Sequence, residues 1–513
     1  MRRIGYVGLL LAMALGLGCN GRCGAARPLG GAAQTSGALG EMPPAAAPAT
    51  SATSEDTWAQ VRIAQVHAGY VHTRRTVTRG QVHTQAQSLL RVKRAEVRIE
   101  MTSLSVAVET EAGQPLSFSV NTSGAGAEKR VTGQVGDGVA RIEVTTAGAA
   151  HVHQISWPAG CLLPEGLRLR ALREGLQAGT RYAVHVFDFE TLSCQETAFV
   201  VVGTENAPMP EGPLRAYLIR SERQTQGGIV QVDNWVDGDQ RPLMFQMQLM
   251  GVRFETIVTD AAAALQNHEG PELFTRSFIP APRALRPAER QETRTYGLQS
   301  IQAAAAPQLP TTLEQQVDTD AENMRVTVSL RPVPPGDPLG TPVTDPDVQP
   351  YLQANAWIQS DAAEMRALSV RAVQGARTQG VAAQRIERFV AQYMSSEDSL
   401  AVGYASALET LHSRQGDCTE YALLTAALCR AAGIPARIAL GIVYAENPGA
   451  PLPHFFGGHA WTQVFVAGHW YSLDAAQRGF GSGHIAFAHS DGDPESLMAL
   501  IHRIGNLRVL SVE

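Results

Sequence analysis

Two periodicities divide this chain. From Trp58 to about residue 275, apolar and polar positions alternate in short stretches, at 97–108, 141–146, 182–187, 198–202 and 245–249, with glycine-rich turns between several of them. A period of two broken by turn residues predicts half-buried strands. The region is expected to form an antiparallel β-rich domain, built as one extended sheet or as two. Towards the C-terminus the period lengthens. Amphipathic helices are expected near 360–375 and 380–395. The apolar run 421–432, free of Pro and Gly, predicts a buried helix that stops at Gly433 and Pro435. Between the two regions, residues 276–344 hold a predicted strand at 324–330 and a proline-rich stretch, 331–342, that reads as a linker. No internal repeat is evident.

The N-terminus reads as a targeting segment. Arg2 and Arg3 precede an apolar run, 4–17, of signal-peptide length and short for a membrane span. Leu17-Gly18-Cys19 resembles the end of a bacterial lipoprotein signal, in which the cysteine is lipidated; an ordinary cleaved signal is the alternative. Residues 24–55 are mostly Ala, Gly, Pro, Ser and Thr and read as a disordered tether. The expected organisation is therefore a signal at 1–18, a tether at 19–55, the β-rich domain at 56–275, a β segment and linker at 276–344, and an α+β domain at 345–513. A chain of 513 residues is too long for one compact domain. Its net charge of −6 gives no electrostatic basis for binding nucleic acid. In an oxidising compartment Cys161 and Cys194 are expected either to pair or to remain two buried thiols.

The candidate chemistry lies in the last hundred residues. Gly416-Asp417-Cys418 ends a loop, and Asp417 with Glu420 forms a capping box of the D-x-x-E kind. Cys418 thus falls in the first helical turn, where leading N–H groups and the helix dipole favour an anion. A thiol placed there is biased towards thiolate, and the same amides are candidates to hold an oxyanion. Downstream, Gly457-Gly458-His459-Ala460-Trp461 opens a strand, Ala467-Gly468 is a turn, and His469 to Asp474 returns. A two-residue loop pairs Val466 with His469 and sets Trp461 opposite Asp474. His459 is then diagonal to Asp474 on the same sheet face, a base beside an orienting carboxylate. A bulge would break that parity.

These residues carry a family resemblance. Gly416-Asp417-Cys418, the segment 428–437, His459-Ala460-Trp461 and 470–474 together resemble the bacterial transglutaminase-like superfamily, over roughly residues 345–513. The resemblance implies a papain-like α+β domain with Cys418 as nucleophile, His459 as base and Asp474 as orienter. It also implies an upstream side chain assisting the oxyanion, for which Tyr404 and His412 are candidates. The family includes transglutaminases, amide hydrolases and proteins without known reaction, so the fold alone does not name the activity.

The remaining candidates read as structure. Cys429 is expected in the helix core. His469 is expected to face solvent, while His454, His484, His489 and His502 show no metal-ligand spacing. Trp461 and Trp470 are expected as core or cleft wall, with substrate stacking a further role for Trp461. No cofactor and no metal is called for, and no loop reads as a calcium site. The expectation is an exported, lipid-anchored thiol acyl transferase or amidase acting on a peptide, protein or peptidoglycan substrate. Its alternative is a non-catalytic envelope scaffold.

Overall fold

The computed structural model describes residues 53–513 except 95–96, 125–126, 147–148, 190–191, 226–227, 250–251, 272–277, 301–307, 321–322, 395–404, 448–451 and 493–506. The expected signal, Cys19, most of the tether, Tyr404 and His502 lie outside the described residues. No described helix is long and apolar enough to cross a membrane.

The alternating region forms one sheet of fifteen strands, β1 to β15, rather than two. Strand β1 (Thr53–Ile63) is central and begins inside the expected tether. It pairs on one side with β2 (Val66–Thr78) and on the other with β15 (Val252–Thr259), both antiparallel. From β2 the strands step in chain order to an edge at β8 (Ala149–Ser156). From β15 they step backwards to the other edge at β9 (Cys161–Leu162), which pairs in parallel with β10 (Arg181–Asp188). Burial alternates along β10, from Tyr182 and Val184 inward to Arg181 and Ala183 outward, as a sheet with one packed face requires.

Helix α1 (Pro164–Glu174) lies against this sheet with its N-terminus held from a strand. Glu109 accepts the backbone N–H of Glu165 at 2.6 Å and of Gly166 at 2.8 Å. This supplies a carboxylate where the helix leaves orphan donors. Cys161, at the sheet edge, is disulfide-bonded to Cys194. A single helical turn, α2 (Ala261–Ala264), capped by Asp260, ends this half of the chain.

The C-terminal half has two smaller sheets. In one, β16 (Ile279–Pro280), β21 (His454–Val466), β20 (Ala436–Glu446) and β23 (His484–Ser490) lie side by side, with β22 (His469–Leu473) also on β21. In the other the order is β18 (Gln315–Asp320), β19 (Asn323–Val328), β17 (Arg294–Ser300) and β24 (Leu507–Val512). Residues 276–344 are therefore built into this half instead of standing apart as a β segment and linker. Their apolar side chains Ile279, Tyr296, Leu298, Met324, Val326 and Val328 enter the same core as the C-terminal helices. The proline-rich stretch is strapped down as well. Asp337 O accepts from Gln379 N at 2.9 Å and Pro335 O from Gly380 N at 2.8 Å, at the start of a helix.

Four helices cover this core: α3 (Ala363–Ala372), α4 (Gln379–Tyr393), α5 (Ala407–Ser413) and α6 (Cys418–Ala431). The first two fall where amphipathic periodicity puts them. Helix α6 is central and buried from Cys418 to Arg430, as an all-round apolar helix must be. Leu423, Leu424 and Leu428 are fully buried, each contributing roughly 1.5–3 kcal/mol of transfer free energy. Its buried Arg430 donates to Ala436 O at 2.9 and 2.8 Å and pairs with Asp491.

Candidate active site

The loop before α6 fixes where Cys418 stands. Asp417 accepts from Thr419 N at 2.9 Å, and Glu420 accepts from Asp417 N at 2.9 Å, closing the predicted capping box. Gly416 is required here. A Cβ at this position would sit 2.2 Å from Glu420 Cβ, and its φ of 155° disfavours other residues. The cap also changes one expectation. The side chain of Asp417 takes up both the Thr419 and the Glu420 amides, so those two leading N–H groups point into the cap and not at a substrate. Burial raises the Glu420 carboxyl well above the usual range, and the neighbouring Asp417 charge raises it further.

The hairpin after α6 supplies the other groups. Ala467 and Gly468 have φ of 49° and 81°, the double positive pair of a two-residue I′ turn. The register is the one the loop length predicts, from Val466 opposite His469 to Thr462 opposite Leu473. His459 Nε2 lies 2.7 Å from Asp474 Oδ2, with both groups buried. Since the carboxylate can only accept, Nε2 carries the proton, and a neutral ring keeps its lone pair at Nδ1. Helix and strand are tied together where Thr462 Oγ1 donates to Ala422 O at 2.9 Å, one turn after Cys418 and three residues after His459. Cys418 itself is 4% exposed.

Asp474 is held from every side. Its N–H donates to Glu387 Oε1 on α4 at 2.7 Å, and its Oδ1 accepts from Gln477 N at 3.0 Å. A second imidazole reaches the same oxygen as the first, since His484 Nε2 is 2.8 Å from Asp474 Oδ2. His484 Nδ1 is 2.9 Å from Gly481 O and 3.3 Å from Gly481 N, so the ring is anchored in either protonation state with Nε2–H on Asp474. Burial alone would raise the Asp474 carboxyl. The charge and hydrogen bond of His459, with the bond from His484, outweigh it and hold the group well below the usual carboxylate range. The ligand atoms of His459, Asp474 and His484 lie within 4.8 Å of one another. A divalent cation would have to break both imidazole–carboxylate bonds to use them.

His484 was read from sequence as one of the scattered histidines, and the structure places it in the site. A signal was present: like His459, it directly follows a glycine, although β21 itself begins earlier, at His454. Glu387 and Glu314 are also additions. Glu314 accepts Ser472 N at 3.2 and 3.0 Å, and burial pushes its carboxyl up to about 7. The other candidates are distributed elsewhere. His412 Nε2 bonds Glu364 Oε2 at 2.5 Å. Cys429 is fully buried, and desolvation raises its thiol. His454 Nδ1 lies 3.2 Å from Tyr444 Oη. Trp461 is 2% exposed and donates Nε1–H to Ser472 Oγ at 3.1 Å. Its ring stacks beside His459 at 5.9 Å, so it walls the site and offers little face to a substrate. Trp470 lies under Arg437, and His469 is exposed.

Residues 366–475 match the Transglutaminase-like superfamily. That span runs from within α3 to just past Asp474 and contains all three of Cys418, His459 and Asp474. No curated protein matches the chain. Among solved structures, it is similar to a "Putative Cysteine Protease" from Cytophaga hutchinsonii, at 19% identity over 44% of this chain and 85% of that one, with a TM-score of 0.29. It is similar to the periplasmic domain of TgpA from Pseudomonas aeruginosa, at 18% identity over 39% and 87%, with a TM-score of 0.26. A β-barrel-like protein of a domain of unknown function from Brucella abortus is similar at 11% identity over 40% and 95%, with a TM-score of 0.30.

Proposed function

We propose that the transglutaminase-like domain of this chain is a papain-like thiol acyl transferase or amidase acting on peptide or isopeptide bonds. The observation that carries this reading is the bond from His459 Nε2 to Asp474 Oδ2, on a hairpin joined to the helix that Cys418 heads. In this reading the Nδ1 of His459 faces the Cys418 thiol and takes its proton. The thiolate attacks the substrate carbonyl carbon, and the positive end of α6 favours the negative charge that develops. The C–N bond then breaks, and the leaving amine takes the proton back from His459. The thioester is resolved by water or by a second amine, which gives its proton to His459 and frees the thiol. Asp474 keeps Nε2 protonated throughout, and His484, acting through Asp474, is a positioning residue.

The test is covalent capture. Incubation with peptide amides should leave an acyl group on Cys418, removable by hydroxylamine and identified by mass spectrometry. Absence of any adduct across protein and peptidoglycan-derived peptides, with a folded protein, would defeat the reading. A second reading, a non-catalytic envelope scaffold, draws on one observation: Cys418, His459 and Asp474 are 4%, 2% and 1% exposed. Export with a lipid anchor at Cys19 is part of the same proposal, supported by the Cys161–Cys194 disulfide, which suits an oxidising compartment. Cys19→Ser should release the protein from the membrane fraction or block its processing.

A further inference from the structure

A cavity of about 390 Å³, lined by none of Cys418, His459 and Asp474, lies between the turn of the β21–β22 hairpin and the segment before β18. Pro310, Thr312 and Leu313 line one side, and Arg437, Trp470 and His489 the other. Arg437 is opposite Gln463 in the β20–β21 ladder. Its guanidinium stacks over the Trp470 ring at 4.1 Å. Its Nε donates to Gln463 Oε1 at 3.0 Å, and its Nη2 lies 3.2 Å from His489 Nε2. All of these partners are neutral. Burial pushes Arg437 down to about 10. Burial, and then the Arg437 charge, pushes His489 down to about 3, so His489 accepts as a neutral ring.

Arg430, at the end of α6, shows the contrast, because it has Asp491 as its counter-ion. Arg437 pairs with no carboxylate among the described residues. A partly desolvated guanidinium has five N–H donors, and two of its nitrogens meet these neutral partners. A cation left without a counter-charge in such a setting is costly, and a planar fork matches a carboxylate in two-point geometry. The volume suits a ligand of amino-acid or dipeptide size.

We propose that this cavity binds the free carboxylate of an amino acid or short peptide, with Arg437 as the counter-charge and Trp470 as an apolar wall. Binding here does not require the thiol chemistry. It is therefore tested on the full chain carrying Cys418→Ser, by calorimetric titration with N-acetylglycine, N-acetylglycinamide and inorganic phosphate. The acid should bind at least about tenfold more tightly than the amide, a difference of about 1.4 kcal/mol. Arg437→Gln should abolish that preference, and Arg437→Lys, which keeps the charge but loses the fork, should retain part of it. Equal affinity for acid and amide, or no binding of either, overturns the proposal; this comparison needs no variant at position 437. Phosphate binding as tightly as the acid overturns the carboxylate assignment, and Arg437→Gln keeping the full preference removes Arg437 from it.

Discussion

Glu387 links the helical layer to the site, and its replacement has a calculable consequence. Its Oε1 accepts the Asp474 N–H at 2.7 Å. Burial pushes its carboxyl from 4.5 up to about 7, with the Asp474 hydrogen bond opposing the rise and the Asp474 charge adding to it. The folded pKa lies above the unfolded one, so the folded state holds more protons between the two values. The contribution to stability is complete below about 4.5 and is lost as pH rises through about 7. Above that, ionised Glu387 costs about 3 kcal/mol, from roughly 2.5 pKa units at about 1.4 kcal/mol each. Glutamine keeps the volume and an acceptor for the Asp474 N–H while removing the charge. Glu387→Gln should therefore stabilise the C-terminal half by about 3 kcal/mol near pH 8 and by about 1 kcal/mol or less near pH 5. Urea unfolding followed by tryptophan fluorescence at the two pH values measures both. A variant no more stable near pH 8, or one whose gain is the same at both, would show that Glu387 is not the desolvated carboxyl described here.

Two further outcomes follow from the same geometry. His484→Ala removes one imidazole from Asp474, and a hydrogen bond to a charged group is worth roughly 1.5–3 kcal/mol. Alkylation of Cys418 at neutral pH should fall about tenfold, and His484→Gln, whose amide still donates, should recover part of the loss; equal loss in both variants would reduce His484 to packing. The Cys161–Cys194 bond closes a sequence separation of 33 residues, for which chain entropy gives about 4 kcal/mol. Cys161→Ala should lower the unfolding midpoint of the large sheet and leave that of the C-terminal half in place, as differential scanning calorimetry would resolve.

What was legible in the sequence was encoded locally. The capping box needs only Asp417 and Glu420, and the register that joins His459 to Asp474 needs only a two-residue turn at Ala467-Gly468. The helical periods of α3 and α4 and the alternation of the large sheet are equally local. The parts that escaped depend on distant partners. Residues 276–344 read as a β segment and a linker, with prolines dominating 331–342, yet β17 finds β24 at the far end of the chain. Strand β1 pairs with β15 across the whole domain, which no period reveals. His484 reaches Asp474 only because β23 lies beside β20, and Glu387 reaches it only because α4 packs over the hairpin. The seven-residue α5 is too short for a periodic signal and is set by the Ser406–Glu409 capping box.

The central claim is that Cys418 is an activated nucleophile, and the pH dependence of its alkylation tests this most directly. Cys161 and Cys194 are tied in a disulfide and Cys429 is fully buried, so among these four cysteines iodoacetamide has one reactive target. In the proposed mechanism the helix N-terminus and the His459 imidazolium both favour thiolate, and thiols in such settings have pKa values of roughly 3.5–7.5 against about 8.5 for a free one. The account predicts rapid labelling of Cys418 at mildly acidic pH, with His459→Ala removing the imidazolium part of the advantage and leaving the dipole part. Asp474→Asn should slow acyl transfer more than it slows labelling, because it acts through the tautomer of His459. Labelling of Cys418 no faster than that of an ordinary thiol at that pH, unchanged by His459→Ala, would contradict the account and leave the scaffold reading in its place.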